Sequence, residues 1–282
     1  MSEFVHAVMA SRLLQYALLA GVLASVACGV IGTYVVVRRI TYIAGSIAHC
    51  VLGGLGAARY CQVVYGWSWL NPLYGATAAA LLAAVVIGLV TLYARQREDT
   101  VIGAVWAVGM AVGVLFIYRT PGYNQDVMSY LFGDIMLVTR TDLWLIGVLD
   151  VIVVALGILL YNRFLAVCFD ETFARLRGVR TEFYYLLLLC LTALTVVLLV
   201  KVVGIIMVIA LLTLPVAIAG YVTRTLAQMM TLAAVLSTLF TSAGLALSYR
   251  PDLPAGATII VLAGSAYVLV TVVRIALGKA RA

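Results

Sequence analysis

Charged residues are scarce in this sequence of 282 residues. Asp, Glu, Lys and Arg make up 10% of it, whereas a soluble protein carries about 25%. Hydrophobic residues make up 65%, and the mean hydropathy is +1.16. This composition excludes a soluble domain of any size. Because a membrane-spanning helix needs about 20 apolar residues, the chain has room for roughly eight or nine spans. We expect an all-α, polytopic transmembrane helix bundle that forms a single domain over residues 1–282.

Several motifs that bind nucleotides or metals in enzymes are missing from the sequence. There is no GxxxxGK[ST] phosphate loop, so the chain cannot bind ATP by that route. There is no HExxH motif, and His6 and His49 are the only histidines, which argues against a histidine-rich metalloprotease site. The five cysteines show no CxxC spacing and are expected to be small buried residues. An enzyme is therefore not expected.

The apolar runs predict individual spans and their direction. The predicted spans are at about 13–37, 43–64, 71–93, 101–118, 142–161, 183–202, 204–222, 226–247 and 255–277. With the joint after the first span in the cytoplasm, twelve of the 18 Lys and Arg residues fall on that side. This bias predicts an N-terminus outside a cell membrane and a cytoplasmic C-terminus, and explains the net charge of +7 better than nucleic-acid binding does. Pro215 predicts a kink or a break in the seventh span.

Two joints are longer than turns. The outer segment 119–141 is expected to contain a short helix at about 128–138, where Asp134 could cap or line an entrance. The largest cytoplasmic joint covers about residues 162–182. Its core has acidic residues first and Arg175 late, followed by Gly178, which is the order that suits a helix dipole and a helix stop. This order predicts a short docking helix, with a solvated loop as the alternative.

His49 lies within the second predicted span. Ionisable groups inside a membrane usually line a pathway or a bundle interior. Gly45, His49 and Gly53 share one helix face, so a neighbouring helix could approach closely and leave space beside the imidazole. Imidazole is a ligand for divalent transition metals. The alternative is a histidine that is hydrogen-bonded across a helix contact.

Asp150 lies within the fifth predicted span. A lone carboxylate there should be protonated, paired, or exposed to a wet cavity. It is a candidate partner for a cation or an arginine, and a structural hydrogen bond is the alternative.

An ordered set of segments resembles the permeases of the ABC-3 family, importers of zinc, manganese and iron. The segments are VVVRRITYIAGSIAHCVLGGLGAARY, REDTVIGAVWAVGMAVGVLFI, SYLFGDIMLV, FDETFARLRGV and VVGIIMVIALLTLPVAIAG. The resemblance implies a type II-like importer permease fold and a non-catalytic transmembrane subunit for a divalent metal ion. It also implies partners: cytoplasmic ATPase subunits that hold the ATP, an extracytoplasmic metal-binding protein, and a second permease chain, the same or related. No permanent cofactor is expected.

The resemblance also assigns roles to residues. His49 matches the pathway histidine of the family, and the coupling element that docks on the ATPase would include Asp170, Glu171, Ala174, Arg175 and Gly178. One position departs from the family pattern, because Gly45 stands where the family usually has Asp. Asp150 is a candidate replacement for that carboxylate.

Two other transport functions remain open. A permease for a metal chelate, such as a siderophore or a corrinoid, would need no direct carboxylate ligand. A secondary transporter or channel would need no ATPase and no docking helix. A membrane scaffold would leave His49 and Asp150 unexplained.

Overall fold

The computed structural model describes residues 8–9, 11–93, 98–122, 133, 138–205, 208–249, 251 and 253–278. The predicted helix at 128–138 and Asp134 fall outside these residues, apart from positions 133 and 138. The described residues form these eleven helices: α1 Arg12–Val37, α2 Thr41–Val64, α3 Pro72–Tyr93, α4 Glu98–Arg119, α5 Arg140–Leu159, α6 Tyr161–Phe169, α7 Glu171–Leu176, α8 Thr181–Val203, α9 Val208–Gly220, α10 Leu226–Tyr249 and α11 Ala255–Ala276.

Eight of these helices are long and apolar enough to cross a membrane: α1, α2, α3, α4, α5, α8, α10 and α11. The predicted all-α bundle of eight or nine spans is thereby confirmed. The seventh predicted span, 204–222, corresponds to α9, which is apolar but has only 13 residues.

The helix break near the seventh predicted span lies at a glycine and not at the proline. α8 ends at Val203, and Gly204 follows with φ +84°, a conformation that favours glycine. α9 is continuous through Pro215. A proline in a helix leaves the carbonyl four residues earlier without its usual donor. Here that carbonyl belongs to Leu211, and the thiol of Cys28 on α1 donates to it at 3.7 Å.

The bundle has a buried centre and an apolar exterior. In α1 and α8, 72% of the most apolar stretch is buried, against 17% in α4 and 11% in α11. α1 packs against α5, α8, α9 and α10, and α2 packs mainly against α3 and α4. Large apolar side chains on the outer faces of α4 and α11 are exposed, as expected of helices that face lipid or another membrane subunit.

Glycines bring α2 close to both of its neighbours. A methyl group added to Gly53 would lie 2.9 Å from the carbonyl oxygen of Gly109 on α4. One added to Gly54 would lie 2.0 Å from the carbonyl oxygen of Gly75 on α3. Small residues allow such approaches between membrane helices. Ser46 adds a hydrogen bond from its hydroxyl to the Ile102 carbonyl of α4, at 2.8 Å.

The end of α1 and the short helices α6 and α7 lie on one side of the bundle. Tyr34 of α1 packs edge-on against Phe164 of α6, with ring centroids 5.2 Å apart, and Phe164 also packs edge-on against Tyr184 of α8. Tyr34 donates a hydrogen bond to the Gly157 carbonyl at the end of α5, at 2.9 Å. The two ring contacts hold α6 against α1 and α8, and the hydrogen bond joins α1 to α5.

Candidate functional site

His49 lies where α2 packs on α4. Its imidazole stacks on the indole of Trp106, with ring centroids 4.3 Å apart and an interplanar angle of 15°. Its Nδ1 atom is buried and has no hydrogen-bond partner among the described residues. For this nitrogen, the structure gives no support to the alternative of a hydrogen bond across a helix contact. This nitrogen is closed to an ion in this conformation, and the ring could ligate a metal ion only through an unprotonated nitrogen that the ion can reach.

Gly45 lies one helical turn before His49 and is covered by a third helix. A methyl group added to Gly45 would lie 2.7 Å from Cδ1 of Ile209 on α9 and 3.8 Å from a carbon of the Trp106 ring. The close helix approach expected at Gly45 and Gly53 is therefore present. However, the space beside Gly45 is filled by Ile209, at the place where the family resemblance puts a carboxylate. The pathway-lining role of the two glycines stays a prediction.

Asp150 occupies a different helix contact. It is 5% exposed on α5 and lies beside Cys28 and the backbone of Ala27 on α1. Its Oδ1 atom has no hydrogen-bond partner among the described residues. In the part of the chain that the structure describes, no hydrogen bond or ion pair joins Asp150 to His49. The two side chains do not form a carboxylate–imidazole pair here, and a role for Asp150 in the pathway stays a prediction.

No group of three or more His, Cys, Asp or Glu side chains is placed to hold a metal ion, as far as the described residues go. An ion at His49 would have to complete its coordination with other groups, such as water or backbone oxygen atoms. Sites of that kind bind weakly enough to release the ion again, which a transport pathway requires.

The joint predicted to dock on a partner is helical. Asp170, in extended conformation, separates α6 from α7 and caps α7, since its side chain accepts a hydrogen bond from the Phe173 amide at 2.8 Å. Gly178, with φ +77°, ends α7 in a Schellman motif: its amide donates to Arg175, and the next amide donates to the buried Ala174. The predicted short helix is therefore present, and its docking on a partner stays a prediction.

The charged residues of this joint act within the chain. Glu171 forms an ion pair with Arg38 of the α1–α2 corner, with 2.6 Å between Oε2 and the guanidinium nitrogen. Arg175 lies 3.5 Å from the same carboxylate and 3.4 Å from the Thr181 hydroxyl. Burial raises the pKa of the nearby Cys168 thiol to about 11, and Arg38 lowers that pKa by a smaller amount. The thiol therefore stays protonated and unreactive near neutral pH.

Three apolar side chains of the joint point away from the protein. Phe169, Phe173 and Leu176 are 68%, 51% and 84% exposed. Phe173 and Leu176 are three residues apart on α7 and so share one face of it, while Phe169 ends α6 on the other side of Asp170. Exposed apolar groups clustered at a membrane surface indicate a contact with another protein or with lipid.

The model of the ABC 3 transport family matches residues 10–274. The chain belongs to the ABC 3 transport family. The resemblance found in its sequence segments is thereby confirmed.

Relatives of this ABC 3 family chain carry descriptions that refer to metal. A protein of Chlamydia trachomatis described as a "Probable metal transport system membrane protein" is 41% identical over 257 residues, 91% of this chain and 87% of the relative. The manganese transport system membrane protein MntC of Halalkalibacterium halodurans is 32% identical, over 91% of this chain and 85% of its own length. PsaBC from Streptococcus pneumoniae, solved in complex with a Fab, matches with a TM-score of 0.85 at 26% identity, over 95% of this chain and 94% of that one.

In this ABC 3 family chain, the contacts made by Trp106, Ile209 and Arg38 could not be predicted from the sequence. Trp106 and Ile209 lie far from His49 in the sequence, and no spacing rule connects them. Arg38 stands in the first of the segments that carry the family resemblance, and nothing in the sequence connects it to Glu171. The exposed pair of Phe173 and Leu176 could have been found, because their spacing within the predicted docking helix is visible in the sequence.

Proposed function

We propose that this chain is the transmembrane permease of an ATP-driven importer for a divalent transition metal ion: zinc, manganese or iron. The observation that carries the proposal is the similarity, over nine tenths of the chain, to relatives described as metal transport membrane proteins. The half-buried imidazole of His49 supports it, because one of its nitrogens has no partner among the described residues and imidazole is a ligand for such ions.

The proposed partners rest on membership of the ABC 3 family and, for the ATPase, on the missing phosphate loop. Without a phosphate loop, ATP hydrolysis is assigned to cytoplasmic ATPase subunits, and capture of the ion to an extracytoplasmic metal-binding protein. A second permease chain completes the pathway. The exposed side chains of Phe169, Phe173 and Leu176 are the proposed ATPase contact.

The proposed orientation has the N-terminus outside the cell membrane and the C-terminus in the cytoplasm. The distribution of Lys and Arg supports it. The ion pair of Arg38 with Glu171 puts the arginine at the end of α1 on the same side of the bundle as the coupling element. ATP binding would displace α7, and the spans would alternate between outward-open and inward-open states around the pathway.

The test is uptake by vesicles that carry the full complex of permease and ATPase subunits together with the metal-binding protein. We expect ATP-dependent accumulation of at least one of radioactive zinc, manganese and iron. Absence of uptake for all three would reject the metal assignment. Uptake of the iron only as a siderophore complex would favour a chelate permease, and ATP-independent uptake by the permease without its ATPase would favour a secondary transporter.

A further prediction concerns the missing carboxylate. In the Gly45→Asp variant the new side chain would collide with Ile209, whose nearest atom is the end of a flexible chain. With Ile209→Ala, the carboxylate gains room one turn from His49 and can share an ion with the imidazole. Even groups that only support metal ligands change metal affinity by roughly 10–100-fold. The metal concentration that gives half-maximal uptake should therefore be about tenfold lower in the double variant.

Ile209→Ala alone is the matched control for this prediction. Metal concentration is varied at fixed ATP, and half-saturation is compared between Ile209→Ala and the double variant. Equal half-saturation in the two would contradict a transport pathway at the Gly45 turn.

A further inference from the structure

The corner between α1 and α2 is short and rigid. It contains only Arg38, Arg39 and Ile40. The Arg39 amide donates to the Val36 carbonyl and the Ile40 amide to the Val35 carbonyl, the hydrogen bonds of a Schellman motif. Arg39 adopts φ +62°, a conformation usually taken by glycine. The corner therefore turns the chain sharply, and a force on Arg38 acts on α1 and α2 together.

Arg38 links this corner to three other helices. Its guanidinium donates to the Val167 carbonyl of α6 at 3.0 Å and to the Glu171 carboxylate of α7 at 2.6 Å. It also lies over the ring of Tyr185 on α8, 5.7 Å from the centroid. The Arg38 side chain is 24% exposed and that of Glu171 is 32% exposed. This ion pair is therefore better shielded from solvent than a typical surface pair.

The two hydrogen bonds of Arg38 lie on either side of a bend. Val167 belongs to the last turn of α6, where carbonyls lack helical partners and attract a positive charge. Glu171 is the first residue of α7, and only Asp170 separates the two helices. A planar guanidinium can hold both acceptors in a fixed geometry, which a lysine ammonium does less well. Arg38 thus holds the α6–α7 bend at one angle.

We infer that Arg38 is the positioning residue that transmits movement of α7 to the helices of the pathway. The inference rests on the proposed function, in which the ATPase displaces α7. α2 begins at Thr41, directly after the corner, and His49 lies about 12 Å further along it at 1.5 Å per residue. A displaced α7 pulls on Glu171, and through Arg38 it moves the start of α2 with it.

Other charged residues nearby do not make this connection. The Arg175 side chain is 63% exposed, and its contacts with Glu171 and Thr181 stay close to α7. Arg39 is exposed, and its side chain forms no ion pair or hydrogen bond with the rest of the described chain. Arg39→Gln therefore removes the same charge from the same corner without breaking the link, and it is the matched control.

The experiment compares the assembled complex carrying Arg38→Gln, Glu171→Gln, the double variant, Arg38→Lys or Arg39→Gln. ATP hydrolysis and metal uptake are measured together. We expect Arg38→Gln to hydrolyse ATP within about twofold of the unmodified complex but to lose about tenfold in uptake per ATP, the size of a typical coupling between sites. Arg38→Lys should recover part of this loss, and Arg39→Gln should behave as the unmodified complex.

The double variant tests the pair itself. If Arg38 acts through Glu171, uptake per ATP in the double variant should be no lower than in Arg38→Gln alone, because effects that share one interaction are not additive. Additive losses would overturn the inference, as would unchanged uptake per ATP in Arg38→Gln. Should Arg38→Gln fail to assemble, Glu171→Gln decides, since unchanged uptake per ATP in that variant also overturns it.

A second measurement separates this inference from the proposed function. Spin labels at the exposed Tyr65, after the far end of α2, and Leu253, before α11, report movement of α2 whatever the substrate is. ATP should change their separation in the labelled complex, and Arg38→Gln should abolish that change. An unaltered change in Arg38→Gln overturns the inference even where metal uptake fails and the proposed function is rejected.

Discussion

Replacing His49 by alanine is expected to reduce metal uptake by more than about tenfold while ATP hydrolysis continues. The imidazole has a buried nitrogen without a partner in the described chain, so its loss removes a ligand and leaves no stranded hydrogen-bond partner at that nitrogen. Groups that merely support a metal ligand are worth roughly 10–100-fold in affinity, and a direct ligand should be worth at least as much. The measurement is initial uptake of radioactive metal by vesicles, with ATP hydrolysis recorded in parallel.

The fold should survive this substitution. The substitution removes the stacking on Trp106, but the contact between α2 and α4 keeps the close approach of Gly53 and Gly109 and the Ser46 hydrogen bond, which do not involve the imidazole. Cys50→Ala is the matched control, because Cys50 is the next residue and offers a thiol instead. Normal uptake in His49→Ala would remove His49 from the mechanism, and equal losses in the two variants would point to helix packing instead of ligation.

The positions of the helices could be predicted from the sequence because local properties decide them. Apolar runs that are long enough to cross the bilayer determine where the spans lie. Pro72 begins α3, and the Asn71 side chain accepts a hydrogen bond from the Leu73 amide. Proline at the first helical position, with asparagine before it, is a helix-start signal that can be seen in the sequence. The same holds for α7, where Asp170 caps the first turn and Gly178 ends the last.

The surroundings of the site could not be predicted in this way. Trp106 stacks on His49, and Ile209 fills the space at Gly45, only because α4 and α9 approach α2 in the folded bundle. The ion pair of Arg38 and Glu171 joins residues 133 positions apart. No periodicity encodes such a pairing, since it depends on how helices distant in the sequence pack.

A second large effect is expected where α2 crosses α3. A methyl group added to Gly54 would lie 2.0 Å from the carbonyl oxygen of Gly75 and 2.6 Å from Cβ of Ala79. That oxygen belongs to helix backbone and cannot move without moving α3. Gly54→Ala should therefore force the two helices apart, at the upper end of the ~1–3 kcal/mol that overpacking costs. For a chain of this size, this lowers the apparent melting temperature in detergent by roughly 5–10 °C.

Gly103→Ala is the control, because it makes the same change in a helix where a methyl group meets no atom within 4 Å. Alanine is a better helix former than glycine by roughly 0.5–1 kcal/mol, so this variant should melt at the same temperature or slightly higher. Both variants replace a helical glycine by alanine, so the gain in helix propensity is the same. A lower melting temperature in Gly54→Ala alone is therefore due to packing. Equal melting temperatures for Gly54→Ala and Gly103→Ala would contradict the packing of α2 on α3 with backbone against backbone. The position of α2 beside α4 would then need revision as well.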